Sequence, residues 1–285
     1  MTINKNKGEL IMKKLVLLLS LVAAFALSAP AYAHFQTIYT PQSALSKTQK
    51  INIKLIFTHP WEAGHTMDIG KDQSGKIHLP IAFGVMHKGK KKDLLETLKP
   101  ITFTSLSNKG KAYDVNMKLK GMGDHVFYFV PAPYYEGAED IYIQQCTKAV
   151  YNIAGAPTDW DALVGDPLPV EIIPLDKPYS IWKGMSFRGV VTCGGKPVPD
   201  AEIEVTYMNH DIQGNKFVTK ENMEIPQPDL VPIGIKADSN GEFSFTCPKA
   251  GWWGFCALGA GGDLKYNGKE LSQDAVIWVQ VVDIK

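Results

Sequence analysis

A histidine stands at position 34, directly after Ala31-Tyr32-Ala33. Small residues three and one positions before a bond mark a leader-peptidase site, so cleavage at Ala33–His34 would make His34 the first residue of the mature chain. An N-terminal histidine holds two nitrogens within chelating reach, its α-amine and its ring Nδ1. The amine has a pKa of roughly 8, low enough for a metal ion to displace its proton at neutral pH. A second group of donors lies in Thr58-His59-Pro60-Trp61-Glu62-Ala63-Gly64-His65-Thr66-Met67-Asp68. Imidazole suits nickel, cobalt, copper and zinc, and a thioether adds softness. His59 and His65 are too far apart for the i, i+4 pair of a helical zinc protease, and Pro60 and Gly64 shape a loop instead. His125 opens a strand in Gly123–Phe129 and so belongs at a sheet end, where loops gather. The candidate metal ligands are His34, His59, His65 and His125, with Met67 and Glu62 as weaker donors. The plainer reading of the same residues is a solvated polar loop and capped strand ends.

Other chemistry finds less support. His78 and His87 lie near Lys88, Lys90, Lys91 and Lys92, a setting that disfavours a bound cation. His210 has no ligand-like neighbours and reads as a surface residue. There is no Gly-x-Ser-x-Gly, no phosphate-binding loop and no dinucleotide fingerprint. Glu136 and Glu139 are a carboxylate pair in a polar loop, with little meaning alone. Gly251-Trp252-Trp253-Gly254-Phe255 reads as a core plug plus one partly exposed Trp that could stack on a sugar.

These donors need a frame, and the chain is long enough to supply one. It has 285 residues, 45% of them hydrophobic, enough for one large or two small domains. Lys13 and Lys14 followed by the apolar run Leu15–Leu27 form a secretory leader, too short to span a bilayer. Met12 opens that leader cleanly, so residues 1–11 read as an upstream start. Residues 1–33 hold four Lys and one Glu, and their removal takes the formal charge from +1 to −2. With no basic face and only one arginine, Arg188, nucleic acid is not expected as a partner. No other long apolar run suggests stable membrane insertion of the mature chain. The four cysteines, Cys146, Cys193, Cys247 and Cys256, contain no Cys-x-x-Cys. In an exported protein they allow disulfides, a late bridge among them, without fixing the pairing.

The mature chain reads as all-β. Alternating or β-branched runs predict strands at 51–57, 81–86, 101–106, 113–119, 126–130 and 141–145. Residues 93–99 read as a short helix or irregular connection, and 154–169 as a long loop with a helical turn at 159–164. Pro174-Leu175-Asp176-Lys177-Pro178 looks like a linker. Strands then resume at 185–192, 201–207, 233–237, 242–247, 252–258 and 275–282, with Asp238-Ser239-Asn240-Gly241 as a hairpin turn. The expected architecture is two β-sandwich domains, residues 34–174 and 179–285. The second is small and of immunoglobulin or transthyretin type.

Read together, these motifs resemble an exported family described as the periplasmic component of cobalt/nickel transport. The resemblance rests on an ordered set: Ala33-His34-Phe35, His59-Pro60-Trp61-Glu62 with Met67-Asp68, Gly123-Asp124-His125-Val126-Phe127, and Gln144-Gln145 with Thr147-Lys148. It continues through Val170-Glu171-Ile172-Ile173-Pro174-Leu175 with Pro178-Tyr179, Gly195-Lys196-Pro197-Val198, Asp238-Ser239-Asn240-Gly241 and Ala250-Gly251-Trp252-Trp253. The set spans nearly the whole mature chain, although each motif alone is weak. It implies a non-enzymatic periplasmic β protein that binds Ni(II) or Co(II) and passes it to a membrane uptake transporter. The cysteines are not part of that pattern.

Three other functions share the same residues. An N-terminal histidine plus a second histidine is the copper histidine brace of oxidative polysaccharide-cleaving enzymes, in which Tyr128 would sit near the metal. It is also the site of small periplasmic copper carriers. A structural or carbohydrate-binding surface module would use Trp252 and Trp253 instead. Nitrogen sites favour copper over nickel and cobalt whatever their biological cargo, so the donors alone do not name the metal. The leader reading has a direct check: N-terminal sequencing of the exported protein should give His-Phe-Gln-Thr.

Overall fold

The computed structural model describes residues 34–227 and 230–284. The expected leader and its expected cleavage site lie outside them. Among the described residues no helix is long and apolar enough to cross a membrane.

The chain is all-β, in three layers. The middle layer is a twelve-stranded sheet whose main path runs Ile233–Lys236, Glu202–Tyr207, Gly251–Ala257, Lys269–Val282, Ile141–Ile153, Gly123–Val130, Ala82–His87, Lys90–Asp93. One face packs on a seven-stranded sheet that begins with Phe35–Tyr39 and Gln49–Thr58, the other on a four-stranded sheet built on Ser186–Cys193. A strand covered on both faces needs apolar residues at nearly every position. Gly251–Ala257 shows this. Trp253, Phe255 and Ala257 enter one core, while Trp252 and Cys256 enter the other. Both tryptophans are buried, at 6% and 0% exposure, so neither offers a ring to a surface sugar.

The strand pairing crosses the boundary expected at Pro174–Pro178. Ile141–Ile153 runs parallel to Lys269–Val282 through eight residue pairs, from Tyr142–Leu271 to Ala149–Trp278. Strand Lys216–Glu221 also joins the seven-stranded sheet beside Lys99–Thr104. Residues from both sides of the linker therefore form common sheets. Sequence periodicity finds strands but not their partners, and a parallel pairing so distant in the chain leaves no local signal.

Other expectations are met locally and altered globally. Leu95–Thr97 is a short 3-10 helix within the predicted stretch, while residues 159–164 contain only a turn. Asp238–Gly241 does turn, with Asp238 Oδ1 accepting from the amides of Asn240 and Glu242. The flanking strands nonetheless belong to different sheets, so the turn is a corner between layers rather than a hairpin. Gly241 is required there. Its φ is +74°, and a Cβ would stand 2.9 Å from the Val191 carbonyl oxygen. All four cysteines are free thiols, so the late bridge is not formed. His210 is buried rather than on the surface, its Nδ1 2.9 Å from the Val218 carbonyl oxygen.

A buried ion pair ties the middle sheet to the four-stranded one. Lys148 Nζ lies 2.7 Å from Glu171 Oε2, with the two side chains 0% and 2% exposed. Glu171 also accepts from the amides of Val164 and Gly165. Removing one member of such a pair strands the other as an uncompensated buried charge, at a cost of roughly 3–5 kcal/mol. Lys148→Met should lower the unfolding free energy by about that much in urea titrations. Unfolding should remain a single transition, because the middle sheet is common to both halves; two separated transitions would show that the halves melt independently.

Candidate functional site

Three histidines meet because of β-register. Phe35 lies opposite Thr58, and Thr58 lies opposite Thr66. One residue beyond each pair, His34, His59 and His65 come level at the same end of three adjacent strands. Side chains alternate along a strand, so all three project on one face. The next row on that face is Gln36, Phe57 and Met67, again directly paired. The ring centroids of His34 and His59 are 4.8 Å apart, nearly perpendicular, and those of His59 and His65 are 5.9 Å apart. His59, at the centre, is buried; His34 is half-buried and His65 exposed.

The loop between His59 and His65 is held at several points. The His59 amide donates to the His65 carbonyl, and the Ala63 amide to the His59 carbonyl. Trp61 packs against Tyr207 and Trp253 of the C-terminal half, and the Asn209 amide donates to the Pro60 carbonyl. The fixed loop keeps the histidine row in place.

The N-terminal strand is fixed just as firmly. Gln145, on the central strand of the middle sheet, uses its side-chain amide as a peptide group would be used in a ladder. Its Oε1 accepts from the Gln36 amide at 2.7 Å, and its Nε2 donates to the His34 carbonyl at 2.7 Å. Trp278 Nε1 donates to the Gln36 carbonyl and the Tyr151 hydroxyl to the Ile38 carbonyl. One edge of the strand is thus paired with Gln49–Thr58, and the other is bonded by side chains of the second sheet.

Glu136, from the short strand Tyr134–Glu136, completes the group. Its Oε2 lies 3.0 Å from His34 Nε2. Tyr134 stands beside it, its ring 6.1 Å from that of His34. The His34 hydrogen bond lowers the Glu136 pKa, against the opposing effect of burial. Burial, then the neighbouring His34 and His65, push His59 down to about 3. His59 is therefore a neutral imidazole at physiological pH, with no proton to lose before it can donate to a metal. Below the row, Gln145 Nε2 also reaches Asp274 Oδ2, a carboxyl raised by burial. Nearby Glu204 is raised to about 7 by burial and by Asp274.

Not every candidate arrives here. His125 pairs with Tyr151, six residues along the strand from Gln145, about 20 Å at the rise of a strand. There it stacks on His87 at 4.1 Å and its Nε2 meets the Lys120 carbonyl oxygen. It opens a strand, as expected, but at the opposite end of the sheet. Glu62 is half-buried, its carboxyl raised by burial and lowered in part by His210, which places it toward the C-terminal half. Met67 is in the second row, beside Phe57. Tyr128 lies in the core on the other side of the middle sheet, so Tyr134 is the aromatic hydroxyl near His34. Cys146 alternates away from Gln145 into that same core, and burial raises its thiol pKa. Sequence reading names Glu136 and, within the Gln144-Gln145 motif, Gln145, but assigns neither a role in the site. Glu136 looks like an ordinary loop carboxylate until strand pairing brings it beside His34. Gln145 carried a weak signal, as a polar residue in an apolar strand.

Two imidazoles sharing one ion at metal–nitrogen distances of about 2.0–2.1 Å have centroids roughly 4.5–5.5 Å apart. The His34–His59 spacing falls in that range, whereas His65 lies 5.9 Å from His59, beyond it. Among the described residues, no group of three or more His, Cys, Asp or Glu side chains is already arranged to hold an ion. In the uncleaved chain the His34 nitrogen is an amide, so an amine donor arises only on processing.

No curated protein matches the sequence. Among solved structures it is similar to the D0-D1 domain of intimin, at 11% identity and TM-score 0.21, over 87% of this chain and 100% of that one. It is similar to an I-band fragment of titin at 10% identity and TM-score 0.19, over 89% and 67% of the two chains. It is also similar to FdeC, an Escherichia coli adhesin, at 11% identity and TM-score 0.19, over 88% and 66%. TM-scores this low carry no functional weight. Residues 31–261 match the family described as a domain of unknown function, DUF4198; that match takes in the whole histidine row, and the chain belongs to this family.

Proposed function

We propose that the mature protein is a periplasmic carrier that binds one divalent transition-metal ion, Ni(II) or Co(II), and delivers it to a membrane uptake transporter. The observation that carries this reading is the single row of three imidazoles, whose first member is the expected N-terminus of the processed chain. His34 would contribute its amine and ring, and His59 and His65 one ring each. An all-nitrogen set of this kind suits nickel and cobalt, and in competition takes copper most tightly. The small recess below the row is lined by Gln36, Phe57, Tyr134 and Gln145 among others, and by none of the three histidines. His125 and Glu62 lie outside the proposed donor set.

A second reading is favoured by one contact. Tyr134 beside His34 resembles the aromatic neighbour of a copper histidine brace, so a copper carrier or copper-dependent oxidative enzyme is the alternative. Reductant-dependent oxidation of polysaccharide by the copper-loaded protein would select the enzyme.

Calorimetric titration with Ni(II), Co(II) and Cu(II) tests the site on two proteins, one starting at His34 and one with a single extra glycine before it. The first should bind one ion, with affinity in the order Cu(II), Ni(II), Co(II), and the second at least tenfold more weakly. His34→Ala should be the most damaging change, followed by His59→Ala. His125→Ala should bind as wild type. Equal binding and identical coordination spectra for the two termini would remove the amine from the site.

The metal-free protein should also show His59 in its pH dependence. Its folded pKa of about 3 lies below the unfolded value of about 6.5. Between these values the unfolded chain holds the extra proton, so stability is complete above about pH 6.5 and falls toward pH 3. The slope is about 1.4 kcal/mol per pH unit, or roughly 2 kcal/mol between pH 6.5 and 5. His59→Gln should lose this part of the slope in urea unfolding; an unchanged slope would assign it to other groups.

A further inference from the structure

We propose that Glu136 is a positioning residue that holds His34 in the Nε2–H form and turns its Nδ1 toward the metal. This rests on the reading of the histidine row as a metal site. The two ring nitrogens of histidine are not equivalent, and a hydrogen bond at one decides what the other can do. Only Nδ1 can close a chelate with the α-amine of the same residue. The six-membered ring runs through amine nitrogen, Cα, Cβ, Cγ, Nδ1 and the ion; Nε2 is on the far side of the imidazole and cannot reach. In this structure the carboxylate is on Nε2, with Oε2 at 3.0 Å. A hydrogen placed there by Glu136 leaves the Nδ1 lone pair for the ion.

The carboxylate is itself built in. Glu136 Oε1 accepts from the Ala138 amide at 2.9 Å, which fixes the side chain. Glu136 pairs with Ile141 in the middle sheet, whereas His34 extends the N-terminal strand of the seven-stranded sheet. Gln145 bonds the His34 carbonyl from that same middle sheet. Backbone and ring of His34 are thus gripped from one side, by Gln145 and Glu136 of the same sheet. Carboxylates that receive the outer N–H of a ligating histidine orient the ring and raise its basicity, and their loss costs about 10–100-fold in affinity.

The test uses protein that begins at His34, with Ni(II) and Cu(II) alone as probes. In metal-free wild type, ¹⁵N chemical shifts of His34 should show a protonated Nε2 and an unprotonated Nδ1. A protonated Nδ1 overturns the proposal without recourse to any variant. Glu136→Gln should weaken Ni(II) binding by about 10–100-fold, and Glu136→Asp should recover part of the loss. The Cu(II) spectrum of Glu136→Gln should keep the wild-type coordination. A changed spectrum would make Glu136 a ligand, and an unchanged affinity would make it irrelevant; either result overturns the proposal. Wild type that binds no metal would overturn the metal reading, and the role of Glu136 with it. Wild type that binds tightly while Glu136→Gln binds equally would leave the metal reading standing and remove Glu136 alone.

Discussion

The site depends on the side-chain amide of Gln145. An N-terminal strand is ordinarily a frayed element, since its first residues have few partners. Here the amide of Gln145 takes the place of a neighbouring strand, accepting from Gln36 and donating to His34. Two hydrogen bonds at 2.7 Å, in a buried setting, hold the backbone of residue 34 where cleavage would expose its amine. Without that clamp, His34 could still pair with Gln49–Thr58 on one side only. Gln145 is in turn held by Asp274 and by packing on Cys256, so the position of the N-terminus is set by residues more than a hundred positions downstream.

The C-terminal half therefore belongs to the site, although it supplies none of the three histidines. Asp274 and Trp278 come from the last strand, and the pocket that seats Trp61 comes from Tyr207 and Trp253. The parallel pairing of Ile141–Ile153 with Lys269–Val282 makes this possible. Lys148 and Glu171 then fix the middle sheet to the layer beyond it. A charged pair with essentially no exposure adds little net stability against an apolar alternative. Its own bond and the two amides that donate to Glu171 do tie the central strand, the 154–169 loop and the strand Val170–Pro174 into one arrangement.

Much of this was legible from residue order, and the illegible parts share a cause. Alternating and β-branched residues identified Ile51–Phe57 because residue pattern is a local property, although Ile53 through Phe57 are all buried. His34, His59 and His65 could be named as candidates, since residue type is local too, but their meeting in one row is a matter of strand register. His125 was misplaced because opening a strand does not say at which end of the sheet that strand begins. The boundary at Pro174–Pro178 reads as a linker because Pro interrupts strands, but sheet partners are chosen by distant residues. Trp252 and Trp253 looked like one buried and one exposed ring. A strand covered on both faces buries both, and that cover comes from other layers. Glu136 illustrates the same limit, since its partner lies in another sheet, at His34.

A carrier must release its cargo as well as bind it, and the histidine row is graded for that task on the proposed reading. His59 is buried and neutral, so it offers a lone pair with no competing proton and little freedom to leave. His65 is exposed at the other side, next to the short strand Thr66–Met67. A ligand open to solvent can be replaced by one from a docking partner while the inner donors keep the ion. Exchange through a series of partly coordinated states lowers the barrier relative to losing all donors at once. The row sits at the end of three strands of which the central one is flanked and the outer one leads into a loop, so its middle ring is covered and its last is open.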